Sequence, residues 1–228
     1  MTTAERQKRN VFRIWVLGLA ALAVSGCVGS LTIEDRFRQV AVYDEETGEE
    51  WPILKRSEDI RLYVAGATAA DLRQIDALSQ QITEATGLAV IPQPDDFDAN
   101  VELRFVSTAE WRAFQAKERY PSDCAVDFFD TRSGDPLAII LIPDSLRGNT
   151  RAECVAQEFA HSTGLTFDTN GRRDTVFGGW AGATELTPID FALLRILYDD
   201  RLVNGMTWAE ARPHVQAIIA EMEAAGEL

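Results

Sequence analysis

Glu158 and His161 stand three residues apart in the stretch CVAQEFAHSTGLTFD, Cys154 to Asp168, and Asp168 comes seven residues after the histidine. Residues three and four apart on a helix share a face, so the carboxylate and the imidazole would look into the same space. Such a pair can move protons, and an imidazole with a carboxylate can hold a metal ion. The spacing comes close to a zinc helix. In the pattern His-Glu-x-x-His, two histidines at i and i+4 bind one zinc ion, and the glutamate acts as base on the metal-bound water. Here the first histidine position is Gln157. Its neutral amide oxygen is a weak donor for zinc. The chain holds only two histidines, His161 and His214, whereas a catalytic zinc takes three protein ligands. The candidate catalytic residues are therefore Glu158 and His161. The candidate metal ligands are His161 and Asp168, with zinc the ion they would take and no cofactor the simpler expectation. The plain alternative is a helix whose polar residues are hydrogen-bonded in place.

The elements that must position these residues are legible in outline. Thr150-Arg-Ala-Glu153 reads as a capping box, which places Cys154 to Thr163 in a helix ending at Gly164. Before it, the alternation of Asp59–Gly66 predicts a strand, and Thr68 opens a helix with Leu72, Ile75, Leu78 and Ile82 on one face and Gly87 as its stop. LAVI, ANVELRFVS, CAVDFFD and LAIILIP predict four further strands, with a short helix over Thr108–Glu118 carrying Trp111 and Phe114. After it, Thr187-Pro188 and Thr207-Trp-Ala-Glu210 open two C-terminal helices, and Pro213 predicts a kink or two abutting helices in the second. Trp180, in GGWAG, is either a ligand-contacting lid residue or a loop anchor. Strand, helix, strands, then helices imply a single α+β domain, a mixed sheet packed on helices.

The N-terminus carries a different signal. A basic start, the uncharged apolar run Ile14–Gly26 and small residues before a cysteine form a secretory signal. Val24-Ser25-Gly26-Cys27 resembles a bacterial lipobox, which implies cleavage before Cys27 and lipid attachment to it. An acylated cysteine anchors through its buried methylenes, at ~0.8 kcal/mol each. Val28 in place of aspartate resembles sorting to the outer membrane, facing the periplasm. The expected organisation is a signal peptide over 1–26, a lipidated cysteine and acidic tether over 27–57, and the domain over 58–228. Residues 1–26 are net +3, and taking them from the formal −14 leaves −17. Charge of that sign repels nucleic acid and bare anionic lipid. The membrane would then be a partner through the lipid alone, and any other partner would be a protein or an envelope polymer. Export places Cys124 and Cys154 in an oxidising compartment. A disulfide between them is the simple reading, and a buried free pair is the alternative.

ECVAQEFAHSTGLTFD, DTVF and LTPIDFALLRILYDDRLVNGM together resemble the bacterial domain-of-unknown-function family numbered 2927, over roughly Asp59 to Met206, many of whose members resemble lipoproteins. That family's pattern, Cys-x-x-Glu-Glu-Leu-x-Gln-x-Leu-Gly-Leu-x-x-Asp, is met at Cys154, Glu158, Gly164, Leu165 and Asp168. Gln157 stands at its first glutamate and His161 at its glutamine. More distantly, the layout is similar to the metzincin-like zinc proteases. Gln157, Glu158, His161 and Gly164 lie on the motif positions of their zinc helix, Phe167 stands at the third ligand with Asp168 one residue late, and Phe177 takes the place of the methionine of the next turn. That resemblance implies a zincin-like fold with two of three ligand positions lost. Three functions are expected from it: a non-catalytic binding domain on a degenerate protease scaffold, a hydrolase working through Glu158, His161 and Asp168, or a structural spacer of the envelope.

Overall fold

A computed structural model describes residues 31–44, 47–118, 122–129, 135–169, 173–178 and 182–228. The expected signal peptide over 1–26, Cys27 and Trp180 lie outside them. Residues 31–228 form one compact unit.

The first described element is one that the sequence pattern did not predict. Thr32 caps α1 (Ile33–Ala41) in a capping box with Asp35, and Phe37, Val40 and Ala41 are buried on one side of it. Arg36 makes a two-pronged ion pair with Asp174, at 3.0 and 2.8 Å, and the Phe37 ring lies 6.5 Å from that of Trp208. Ile53 is buried and its N–H donates to the Met206 carbonyl at 2.8 Å. The described residues between 31 and 57 are thus folded into the domain rather than forming a tether, because their apolar positions cover the C-terminal helices.

Five strands form a mixed sheet in the order β2-β1-β3-β5-β4. These are β1 (Ile60–Ala65), β2 (Val90–Pro92), β3 (Val101–Val106), β4 (Ala125–Phe129) and β5 (Leu137–Pro143). The first four in that order are parallel, and β4 is the antiparallel edge. Alternation sets the core face, as a period of two must. Leu103 pairs with Ile140 and Ile140 with Val126, and Ile60, Leu62, Val101, Leu103, Ala138, Ile140 and Ile142 are all buried. On the helical side, α2 (Ala69–Thr86) runs from a Thr68–Asp71 capping box to Gly87, and packs against α4 (Gly148–His161) and α5 (Pro188–Tyr198). The short α3 (Thr108–Glu118) packs on β5. The architecture among the described residues is α+β, with helices at the C-terminal end.

Two local expectations are corrected. The capping box at Thr150 does not form. Gly148, at φ +58°, lets the chain turn into α4 three residues earlier behind Arg147, so Thr150 lies inside the first turn. The last helix, α6 (Trp208–Ala225), runs through Pro213 as one helix. Pro213 is inside this helix and removes one N–H from its ladder, and the helix continues past it.

Candidate functional site

Gln157, Glu158 and His161 lie on the last turns of α4, and the chain beyond the helix brings Asp168 back to them. Gly164 makes the return. Its φ is +118°, and a Cβ there would run into the Leu54 carbonyl oxygen, so only glycine fits. The returning segment is fixed by Phe167 N–H on the Val40 carbonyl, at 3.0 Å, and Thr169 N–H on the Phe177 carbonyl, at 2.7 Å.

One carboxylate oxygen then joins the group. Asp168 Oδ1 accepts from Gln157 Nε2 at 2.6 Å and lies 3.1 Å from His161 Nε2. His161 Nδ1 faces the Leu165 carbonyl oxygen at 2.5 Å. Both ring nitrogens therefore face acceptors, and a ring that donates from both is an imidazolium. Burial opposes that charge. The bond to Asp168 and its charge, the Glu158 charge and the Leu165 carbonyl outweigh it, and the imidazole is pushed up to about 9. Asp168, half-exposed at the rim, is held below the usual carboxylate range: burial pushes it up, and His161 and Gln157 pull it down further. The Phe177 ring closes the far side of His161, with centroids 5.1 Å apart.

Glu158 differs from its neighbours. It is 6% exposed, and burial raises its carboxyl to about 7, with Asp168 adding to the rise and His161 and the Val126 N–H opposing it. Val126 lies on β4, so Glu158 sits under the main chain of the edge strand. A disulfide fixes that relation. Cys124, next to the start of β4, is bonded to Cys154, four residues before Glu158 on α4, with Cα atoms 5.9 Å apart.

The wall of the site is braced from α5. Asp190 is wholly buried and belongs to the capping box with Thr187. It also accepts from Thr175 Oγ1 at 2.5 Å and from Val176 N–H at 3.1 Å, which holds the loop that presents Phe177. Burial raises its carboxyl, against the pull of those donors. The sequence pattern did not point to this brace, although Thr187-x-x-Asp190 is itself a capping-box signal. Nor did it point to the Arg36–Asp174 pair. His214 lies on α6 and takes no part in the network.

The residues do not fit a zinc ion well. Gln157 supplies an amide, and the Nε2 of His161 faces Asp168. An incoming ion would have to displace a proton that His161 holds to about pH 9. Among the described residues, no group of three or more His, Cys, Asp or Glu side chains is placed to hold a metal.

A mixed five-stranded sheet with a helix under its antiparallel edge, and at that helix's end a buried Glu158 and His161 met by Asp168 at the rim, define a small α+β domain. Residues 30–217 match a family described as a protein of unknown function, DUF2927, and the chain belongs to that family. No curated protein matches it.

Proposed function

We propose that this chain is a lipid-anchored protein of the bacterial cell envelope whose domain is a degenerate metzincin-like scaffold, used to bind a protein, peptide or envelope polymer rather than to cut one. The observation that carries the reading is the mutual satisfaction of Gln157, His161 and Asp168. The positions that would share a metal in a zinc protease instead hydrogen-bond to one another through Asp168 Oδ1. Phe177 packed under His161 supports the scaffold, since it fills the place expected of the methionine turn. The folded unit starts at Leu31. If Cys27 carries lipid, it would anchor the domain at the periplasmic face of the outer membrane.

A second reading has one observation in its favour. Glu158, held at about 7 beneath an edge strand, has the affinity for protons that a general base needs at neutral pH. It would make the domain a hydrolase. Metal content by mass spectrometry and peptide cleavage, measured on residues 28–228 incubated with zinc, separate the two. The binding reading expects no stoichiometric zinc and no cleavage. Near-stoichiometric zinc that is lost in His161→Ala, with cleavage that is lost in Glu158→Gln, would replace it with the hydrolase.

A further inference from the structure

The loop from Gln93 to Asn100 joins β2 to β3, at the opposite edge of the sheet from β4 and the α4 site. At its tip Phe97 is 89% exposed, against 53% for Trp51, the next most exposed large apolar residue described. The chain on either side of Phe97 is tied down. Arg104 Nη2 donates to Asp96 Oδ2 at 2.8 Å, and Arg61 Nε to the Asp98 carbonyl at 2.7 Å. Asn100 accepts from Arg61 N–H at 2.8 Å and donates to the Asp59 carbonyl at 2.9 Å. The Phe97 N–H itself is bonded to Asp95 Oδ1 at 3.1 Å. A loop pinned to β1 and β3 thus holds an aromatic ring in water, where it contributes nothing to the core. Three carboxylates, Asp95, Asp96 and Asp98, surround it in sequence.

We propose that Phe97 is the anchor of a docking site for a second protein, one that offers an apolar socket rimmed by lysine or arginine. An aromatic side chain seated in a pocket is a common centre of binding energy, and a loop already fixed in place loses little freedom on binding. Asp96 is paired with Arg104, and the exposed Asp95 and Asp98 beside Phe97 steer toward a basic rim and reject acidic surfaces. A projecting tip offers no concavity to a small ligand. Its charge repels nucleic acid and anionic lipid. A second copy of a chain with net charge −14 would bring like charge to the same place. This proposal does not rest on the reading of the α4 site.

The test places the photo-crosslinker benzoylphenylalanine at position 97 of the full chain in its own cells, with position 72, an exposed leucine on α2, as control. The expected result is one discrete protein adduct at 97 that is absent at 72. The adduct protein is then purified and its affinity measured. Phe97→Ser should weaken binding by about 30-fold or more. Asp95→Asn with Asp98→Asn should weaken it by roughly 3- to 10-fold at 50 mM salt and by less at 300 mM. Both variants should unfold at the wild-type denaturant concentration, since none of the three side chains is buried. Failure to form an adduct, equal adducts at both positions, an adduct with lipid or with a second copy, or a partner indifferent to Phe97→Ser would each overturn the proposal.

Discussion

Arg151 in the first turn of α4 and Glu158 with His161 in its last turns lie on one helix, and their surroundings differ in kind. Arg151 meets Asp71 of α2 through two bonds of 2.8 Å, and its guanidinium stacks over Phe105 at 4.0 Å. Asp71 also caps α2 through Thr68. Burial alone would raise its carboxyl, yet those donors bring it down to about 2. At the other end burial wins, and Glu158 is raised to about 7. Both carboxyls are nearly inaccessible to solvent, but Glu158 lies deeper, so burial weighs more on it. The number of donors adds to the difference: Asp71 has a guanidinium and a cap, while Glu158 has a neighbouring cation and one main-chain N–H. A charge bound on all sides is part of the framework. A charge left short of donors costs stability, and such groups cluster where proteins bind or react.

The largest effect should come from breaking the framework end. Arg151→Ala leaves Asp71 buried without its partner, and should cost about 3–5 kcal/mol in urea unfolding, the usual result of removing half of a buried pair. A loss under 1 kcal/mol would mean that the Thr68 cap alone holds Asp71, and that the two ends differ less than their geometry suggests. Next in size is the disulfide between the two ends. Replacing Cys124 and Cys154 by alanine opens a 30-residue separation, for about 3.6 kcal/mol by the loop-closure relation. It should also loosen β4 from α4. The carboxyl of Glu158, titrated by NMR, would then fall from about 7 toward its ordinary value, whereas Asp71 would stay where it is. A Glu158 carboxyl that did not move would show that the core alone, without the cross-link, keeps it dry.

The same physics decides how much of the molecule was legible in its residues. Strands announced themselves by alternation, and α2, α5 and α6 by caps and spacing, because those signals are local. α1 was missed although Thr32-Ile-Glu-Asp35 is a capping box and Phe37, Val40 and Ala41 share a face. The acidic, turn-rich YDEETGEEW just after it drew the whole segment toward a tether. The start of α4 was misplaced because a glycine at positive φ allowed a route that Thr150 did not suggest. Glu158 and His161 were legible as a pair, since spacing on a helix is a local property, and Asp168 only as a nearby carboxylate beyond the helix. Their arrangement was not. The approach of Asp168 depends on Gly164 passing where any Cβ would strike Leu54, and the burial of Glu158 depends on β4. Both are contacts between segments far apart in the chain, which no periodicity records.

The smallest effect sharpens the comparison most, because its sign should reverse between the ends. Glu158 has a folded value of about 7 against an ordinary 4.5, so the native state holds this proton more tightly than the unfolded chain. Its contribution is whole below about pH 4.5 and is lost as pH rises through 7. His161, raised from 6.5 to about 9, adds a loss of the same sign between those values. Stability should therefore fall from about pH 5 to pH 9, with Asp168 acting only at the acid end, where its lowered value makes stability decline as pH drops below the ordinary 3.8. Glu158→Gln removes the first loss. At pH 8 it should be as stable as the wild type or more so, by about 1–2 kcal/mol, since a neutral amide is cheaper to bury than an anion. The slope attributable to His161 should still begin near 6.5 but end at lower pH, because Glu158 is one of the charges that hold the imidazolium. Asp71→Asn should behave in the opposite way. Its carboxylate is depressed to about 2, so its contribution is present above 3.8 and lost only as pH falls through 2. Urea midpoints of both variants at pH 5, 7 and 9 test the pair together. If Glu158→Gln destabilised the protein at pH 8 as Asp71→Asn does, Glu158 would be a paired framework charge like Asp71, and the distinction between the ends of α4 would fail.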